Sequence, residues 1–305
     1  MKNDKNLNDI NANSFFNIML PRNWLPFIIL CRLDRPIGIW LTILPCFSAL
    51  IICSDGIPSI RNIIIFSIGA ILMRSIGCTF NDICDQEFDK KVTRTCLRPL
   101  ATGSITQKKA ITFLLVQLLT CSSLLLFINS TSKLLSIILI PIVIIYPLCK
   151  RFTYWPQIIL GICFNWGILI AWSEVTHFVT LNAFLLWLGA IFWQIGYDSI
   201  YAYVDADCDE AIGLKSTAVL FSDNGKIFIS LFYILAIIFW ILAGHNLKLN
   251  FSYYYGIAII FFHFIWQIFN FQPKNQKKNF YLFIQNIWVG IILLSCSLTG
   301  TIFTT

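Results

Sequence analysis

Apolar positions in this chain gather in long blocks, with polar residues concentrated between them. Runs of roughly 17–25 apolar residues are long enough to cross a bilayer as helices. Nine such runs stand at about 36–54, 62–80, 110–129, 132–149, 155–173, 178–198, 227–244, 252–271 and 280–303. The fourth and seventh are the shortest, and Pro141 and Pro147 are expected to bend the fourth. Most runs lack charge entirely, and Arg74 and His263 are the exceptions. The pattern predicts an all-α integral membrane protein with nine transmembrane helices.

Composition supports lipid as the solvent. Of 305 residues, 57% are hydrophobic and 12% are charged, against about 25% charged in a soluble domain. A soluble fold would have to hide nearly every face of every helix. Lys and Arg set the orientation. With the N-terminus cytoplasmic, 18 of the 22 fall on the cytoplasmic side. Arg61, Lys133 and Lys248 lie outside, and Arg74 lies within a span. Nine spans, N-terminus in and C-terminus out, satisfy the positive-inside rule. We expect a cytoplasmic tail over 1–24 and one membrane domain over 25–305, with related halves at about 25–150 and 151–305. Lys2, Lys5 and Arg22 in the tail accompany Asp4 and Asp9 without an apolar core or cleavage site, so no secretory signal is expected. The eleven cysteines lie mostly in apolar runs and form no C-x-x-C pair, which reads as small buried hydrophobes rather than metal ligands.

Acidic residues are distributed differently. Nine of fifteen Asp and Glu fall at 82–89 and 205–210, together with Asp198. Each cluster follows an even-numbered span on the cytoplasmic side, where carboxylates beside a membrane core are costly and usually functional. The clusters repeat: Asp85 and Asp89 recur as Asp205 and Asp209, or Asp82 and Asp89 pair with Asp198 and Asp205, and both alignments fit. In Asn81-Asp82-Ile83-Cys84-Asp85-Gln86-Glu87-Phe88-Asp89, a continued helix puts Asn81, Asp85 and Asp89 at i, i+4 and i+8, with Asp82 near Asp89. Like charges so spaced repel, and a cation would relieve them. Mg²⁺ takes such hard oxygens and is commonly shared with substrate phosphates. On a continued helix, Asp198, Asp205 and Asp209 would likewise share a face, with Asp207 and Glu210 pointing elsewhere. A solvated acidic loop tip explains one such segment but poorly explains two on one side. Lys90, Lys91, Arg94 and Arg98, Lys150-Arg151 and Lys215 border the clusters. Carboxylates, Mg²⁺ and nearby Arg and Lys together suit a diphosphate.

N-D-x-x-D-x-x-x-D followed by KKVTRTCLRPLATGSIT, then YDSIYAYVDADCDEAIGLKSTA, resembles the UbiA superfamily of intramembrane prenyltransferases. RLDRPIGIWLTILPC (Arg32 to Cys46) and YPLCKRFTYWPQIILG (Tyr146 to Gly161) are similar to the branch acting on 4-hydroxybenzoate. The likeness covers about residues 30–220. It implies nine helices around a central cavity capped by two Asp-rich cytoplasmic loops. It also implies metal ligands at Asn81, Asp85, Asp89, Asp205 and Asp209, to which the helical stripe adds Asp82, with Asp198 deeper. Diphosphate contacts map onto Arg94, Lys150, Arg151 and Lys215, while Arg32 or Arg74 would face the acceptor carboxylate or the diphosphate.

The implied reaction is transfer of a polyprenyl group from its diphosphate to the ring carbon ortho to the hydroxyl of 4-hydroxybenzoate, in ubiquinone biosynthesis. The allylic C–O bond breaks, the ring attacks the cation, and the ring proton leaves. Tyr146, Phe164, Trp166, Trp193 and Tyr197 are candidates to shelter the cation with their π faces. The expected partners are the two substrates and lipid, with no nucleic acid or obligate protein partner. A bacterial inner membrane fits better than a mitochondrial one. Two alternatives stand: another aromatic acceptor, and a divalent-cation transporter, which lacks acidic residues deep in its spans.

Overall fold

The computed structural model describes residues 21, 23–92 and 94–302. Most of the N-terminal tail expected over 1–24, and the last residue of the ninth expected run, lie outside the described residues. Secondary structure among the described residues is helical throughout. In chain order the α-helices are α1 (Leu25–Leu30), α2 (Ile37–Cys53), α3 (Ile60–Asp89), α4 (Pro99–Thr102), α5 (Gln107–Ser123), α6 (Ser130–Ile145) and α7 (Cys149–Phe152). They continue with α8 (Pro156–Thr176), α9 (Leu181–Ala202), α10 (Ala206–Ala211), α11 (Thr217–Phe221), α12 (Gly225–Asn246), α13 (Phe251–Asn270) and α14 (Gln276–Ile302).

Among the described residues, eight helical segments are long and apolar enough to cross a membrane, where nine were expected. The shortfall is α2. Its 17 residues extend about 25 Å at 1.5 Å per residue, short of a hydrocarbon core of about 30 Å. Pro36 precedes it, and after it Asp55 and Gly56 adopt positive φ (51° and 105°), which turns the chain away. In the fourth run α6 continues through Pro141, and a 3₁₀ turn at Tyr146–Leu148 follows, with Pro147 in its first turn. Lipid-facing positions are apolar, as a nonpolar solvent requires: Leu119, Leu126, Phe251 and Phe269 are each more than 70% exposed. All eleven cysteines are free.

The Cα packing divides the chain into two compact units, Met1–Ile39 with Ile68–Phe127, and Trp40–Ser67 with Ile128–Thr305. In the first, Leu30, Leu100, Ile105 and Ala110 form a buried cluster against which Phe27, Ile83 and Phe113 pack. The helix α3 runs 30 residues, about 45 Å. That exceeds a hydrocarbon core by about 15 Å, so its last turns, which carry the first acidic motif, run on past the apolar stretch.

In the second unit, α9 packs closely on α12. A Cβ at Gly189 would come within 2.5 Å of the Trp240 ring, and one at Gly196 within 2.4 Å of the Tyr233 ring. These glycines are seven residues apart and share one face. Small residues let helix backbones approach where no hydrophobic drive acts between them. A polar network then ties four helices. Trp193 Nε1 donates to Asn286 Oδ1 at 2.9 Å, and Asn286 Nδ2 donates to Gln267 Oε1 at 3.3 Å. The same Gln267 oxygen accepts from Tyr233 OH at 2.7 Å, and its nitrogen lies 2.9 Å from His263 Nε2. At the far end of α8, buried Glu174 meets Arg61 at 3.2 Å and accepts the backbone N–H of Asn129 at 2.8 Å.

Candidate functional site

In the first unit the site is built on the end of α3. The helix continues through the motif to Asp89, as the i, i+4, i+8 spacing requires. Asp82, Asp85 and Asp89 are buried, with exposures of 0%, 1% and 6%, while Asn81 is half-buried. Glu87, on the opposite face, is exposed and pairs with Lys90 at 2.6 Å. The chain then turns back on the helix. Thr95 Oγ1 donates to the Asp89 carbonyl at 3.1 Å, and Gln86 Nε2 donates to the Leu100 carbonyl at 3.2 Å. Pro99 opens α4 and Leu100 enters the buried cluster, which fixes Arg98 just outside the first turn.

Arg98 is the group that sequence spacing left unassigned. It is 8% exposed, and its Nη1 lies 3.0 Å from Asp82 Oδ1 and 3.1 and 2.9 Å from the two Asp89 oxygens. Its signal was the Arg-Pro step, since the residue before proline is held extended and presents its side chain at the mouth of a turn. Arg32 Nη2 donates to the same Asp82 oxygen at 2.8 Å, and its Nη1 donates to the Ile29 carbonyl at 2.9 Å. Arg32 does so from a left-handed backbone, φ 59°, a conformation that costs a side-chain-bearing residue roughly 1–2 kcal/mol. Tertiary contacts therefore impose it. Arg74 lies over Gly38, where a Cβ would come within 2.5 Å of Nε and 2.9 Å of Cζ. The missing side chain at Gly38 makes the room for the guanidinium. Arg94 is half-buried on the turn after α3.

In the second unit, the expected continued helix through the second motif is corrected. The helix α9 ends at Ala202 and α10 begins at Ala206, so Asp198 and the Asp205–Asp209 pair do not share one helix face. Val204 N–H and Asp205 N–H bond back three residues, to the Tyr201 and Ala202 carbonyls. Tyr203 and Val204, at the break, are both buried. Tyr203 OH donates to the Ser222 carbonyl at 2.5 Å, its ring meets Phe271 edge-on at 4.9 Å, and burial pushes its phenol up to about 12. The exposure pattern within the motif follows expectation: Asp205 and Asp209 are half-buried, while Asp207 and Glu210 are exposed. Gly213, at φ 75°, closes the segment.

Basic residues gather beside it. Lys215 N–H donates to the Lys150 carbonyl at 2.9 Å, and Lys215 Nζ donates to the Phe152 carbonyl at 3.3 Å and lies 5.3 Å from the Tyr154 ring centroid. Lys150 is half-buried and Arg151 exposed on α7. Thr217 continues the clamp, sharing a 2.8 Å hydrogen bond with Ser199 and donating its backbone N–H to Gln157 at 3.3 Å. Of the aromatic candidates, Trp193 and Tyr197 are buried and meet edge-on at 5.2 Å. Trp166 is buried and donates to the Leu135 carbonyl at 2.9 Å, and Tyr146 and Phe164 are half-buried.

Among the described residues, no three His, Cys, Asp or Glu side chains form a ready metal cage. The ion that the acidic motifs were expected to hold is Mg²⁺. This ion usually takes one or two carboxylates and completes its shell with water and substrate phosphates. Asp85 and Asp89 supply hard oxygens of that kind, so the donor chemistry fits.

Comparison with known proteins places the chain in a family. Residues 42–290 match the UbiA prenyltransferase family. The chain is 39% identical over 274 residues to the 4-hydroxybenzoate octaprenyltransferase of Pseudomonas aeruginosa (strain LESB58), covering 90% of this chain and 92% of that one. Its fold is similar to that of an apo UbiA homolog from Aeropyrum pernix K1, with a TM-score of 0.73 and 21% identity over 85% of this chain and 96% of that one. It is also similar to a UbiA homolog from Archaeoglobus fulgidus bound to GPP and Mg²⁺, with a TM-score of 0.71 and 16% identity over 91% and 99% of the two chains. A long apolar helix ending in buried aspartates, a second acidic segment flanked by lysines, and these likenesses lead to one conclusion: the chain belongs to the UbiA prenyltransferase family.

Proposed function

We propose that this protein transfers a polyprenyl group from polyprenyl diphosphate to the ring carbon ortho to the hydroxyl of 4-hydroxybenzoate, releasing diphosphate, as a step of ubiquinone biosynthesis. The observation that carries this reading is the buried pair Asp85 and Asp89 at the end of an apolar helix. It is supported by near full-length similarity to an enzyme named for that acceptor.

In this reading Asn81, Asp85, Asp89, Asp205 and Asp209 hold Mg²⁺, with Asp198 nearby on α9. When bound, the ion supplies positive charge against the negative charge growing on departing diphosphate. Arg94, Lys150, Arg151 and Lys215 bind the phosphate oxygens with charge-assisted hydrogen bonds. Arg74 is assigned to the acceptor carboxylate. It precedes Asn81 by seven residues, hence lies on the same face of α3 about 10 Å away, a span into which a benzoate ring fits. The allylic C–O bond breaks toward diphosphate, the ring carbon attacks the allylic cation, and the ring proton passes to a carboxylate or to diphosphate. Exclusion of water protects the cation, and the faces of Tyr146 and Phe164 stabilise it.

The test uses purified protein in detergent with a polyprenyl diphosphate, 4-hydroxybenzoate and Mg²⁺. The expected product is 3-polyprenyl-4-hydroxybenzoate, lost on addition of a chelator and restored by excess Mg²⁺. Product from a different aromatic acceptor alone would reassign the substrate, and chelator-resistant turnover would remove the metal.

We read α2 as a ninth, short span, with a cytoplasmic N-terminus and the C-terminus across the membrane, in a bacterial inner membrane. Reporter fusions check this: a C-terminal alkaline phosphatase is expected to be active and an N-terminal one inactive. Matching signals at both ends would leave an even number of spans.

A further inference from the structure

We propose that Asp82 is a positioning residue and not a metal ligand: it holds the guanidinium groups of Arg32 and Arg98 together on the first acidic motif, where they receive the diphosphate. The proposal rests on the substrate reading given above.

The geometry centres on one atom. Asp82 Oδ1 takes Arg32 Nη2 at 2.8 Å and Arg98 Nη1 at 3.0 Å, with Asp82 itself 0% exposed. Arg98 reaches on to Asp89 at 2.9 Å. The four groups alternate in sign, Arg32, Asp82, Arg98, Asp89, and sum to zero charge. Two guanidinium groups sit on Asp82 and one on Asp89, so a dication approaching Asp82 would meet the greater repulsion.

Stability does not account for the arrangement. Buried ion pairs contribute little beyond what apolar side chains of similar volume would, because desolvation offsets their attraction. What such a cluster does provide is placement, since Arg32 is held in a left-handed backbone conformation with its guanidinium fixed between the Ile29 carbonyl and Asp82. The feature that favours a ligand role instead is Asp82 Oδ2, buried and without a hydrogen-bond partner. The experiment therefore weighs metal binding and anion binding separately.

The full-length protein in detergent is compared with Asp82→Asn, which keeps the shape and removes the charge. Three readouts are taken: Mn²⁺ affinity by electron paramagnetic resonance, inorganic diphosphate affinity by calorimetry, and the KM and kcat for polyprenyl diphosphate. Released arginines are expected to weaken diphosphate binding and raise KM by about tenfold or more, with kcat and Mn²⁺ affinity within about twofold of the parent protein. Loss of Mn²⁺ affinity as large as that of Asp85→Asn would make Asp82 a ligand and overturn the proposal. So would a lowered melting temperature with KM unchanged, which marks a purely structural residue. Should Asp82→Asn fail to fold, Arg32→Gln removes one cation while leaving the Asp82–Arg98 pair. It is expected to raise KM in the same direction, and an unchanged KM would overturn the proposal equally. Diphosphate calorimetry involves no prenyl transfer, so a parent protein that turns over no polyprenyl diphosphate would sink the substrate reading and leave the role of Asp82 to be decided by that measurement.

Discussion

Asp85→Ala is expected to reduce prenyl transfer at least about a hundredfold, the scale on which a group stabilising developing negative charge acts, while the protein stays folded. Asp205→Ala is expected to do the same. The two residues stand 120 positions apart in different compact units, so equal losses would mean that both acidic segments serve one reaction. Product formation by liquid chromatography, with size-exclusion elution as the check on folding, measures both. Neither change should unfold the chain. Asp205 is half-buried at the break before α10 and makes no side-chain cap there. Asp85 lies on a helix whose neighbouring acids are already tied to Arg98, and alanine is a good helix former. Activity retained in both variants would remove the metal assignment.

Gly38→Ala is expected to raise the KM for 4-hydroxybenzoate about tenfold or more, the scale of losing a buried, charge-assisted contact, with the melting temperature nearly unchanged. An added methyl would meet three guanidinium atoms of Arg74 within 2.9 Å. The end of a long side chain can swing aside, so the fold tolerates the change, but the charge moves. Gly196 provides the contrast, because there the added methyl meets the ring of Tyr233, which is 1% exposed and has nowhere to go. Steady-state kinetics with acceptor varied, beside thermal unfolding in detergent, separates these effects. A KM equal to that of the parent protein would detach Arg74 from the acceptor.

The apolar runs located the long helices because a bilayer demands about 20 consecutive apolar residues, a requirement visible without any tertiary information. The spacing of Asn81, Asp85 and Asp89 also held, since nothing after Ile60 breaks α3 before Asp89. The second motif was less legible. Its helix ends at Ala202, and the partners that hold Tyr203 just beyond it, Ser222 and Phe271, are distant in sequence. The ion network was hidden for the same reason. Arg32 and Asp82 are 50 positions apart, and nothing local marks Arg32 as the residue in a left-handed turn, a conformation usually left to glycine. The first run, 36–54, exceeds α2 by one residue at each end, and what it did not show is that 17 helical residues fall short of the bilayer's apolar thickness.

The hydrogen bonds joining Trp193, Tyr233, Gln267 and Asn286 have a mechanical meaning. Greasy helices in lipid can slide along their axes with little penalty, since one methyl group replaces another. Directional bonds remove that freedom, because a slip of one turn, about 5.4 Å, would strand every donor and acceptor in hydrocarbon. Gln267 thus acts as a peg that locks the vertical setting of α9, α12, α13 and α14. Asp198, five residues beyond Trp193 on α9, keeps its depth in the membrane because that peg holds.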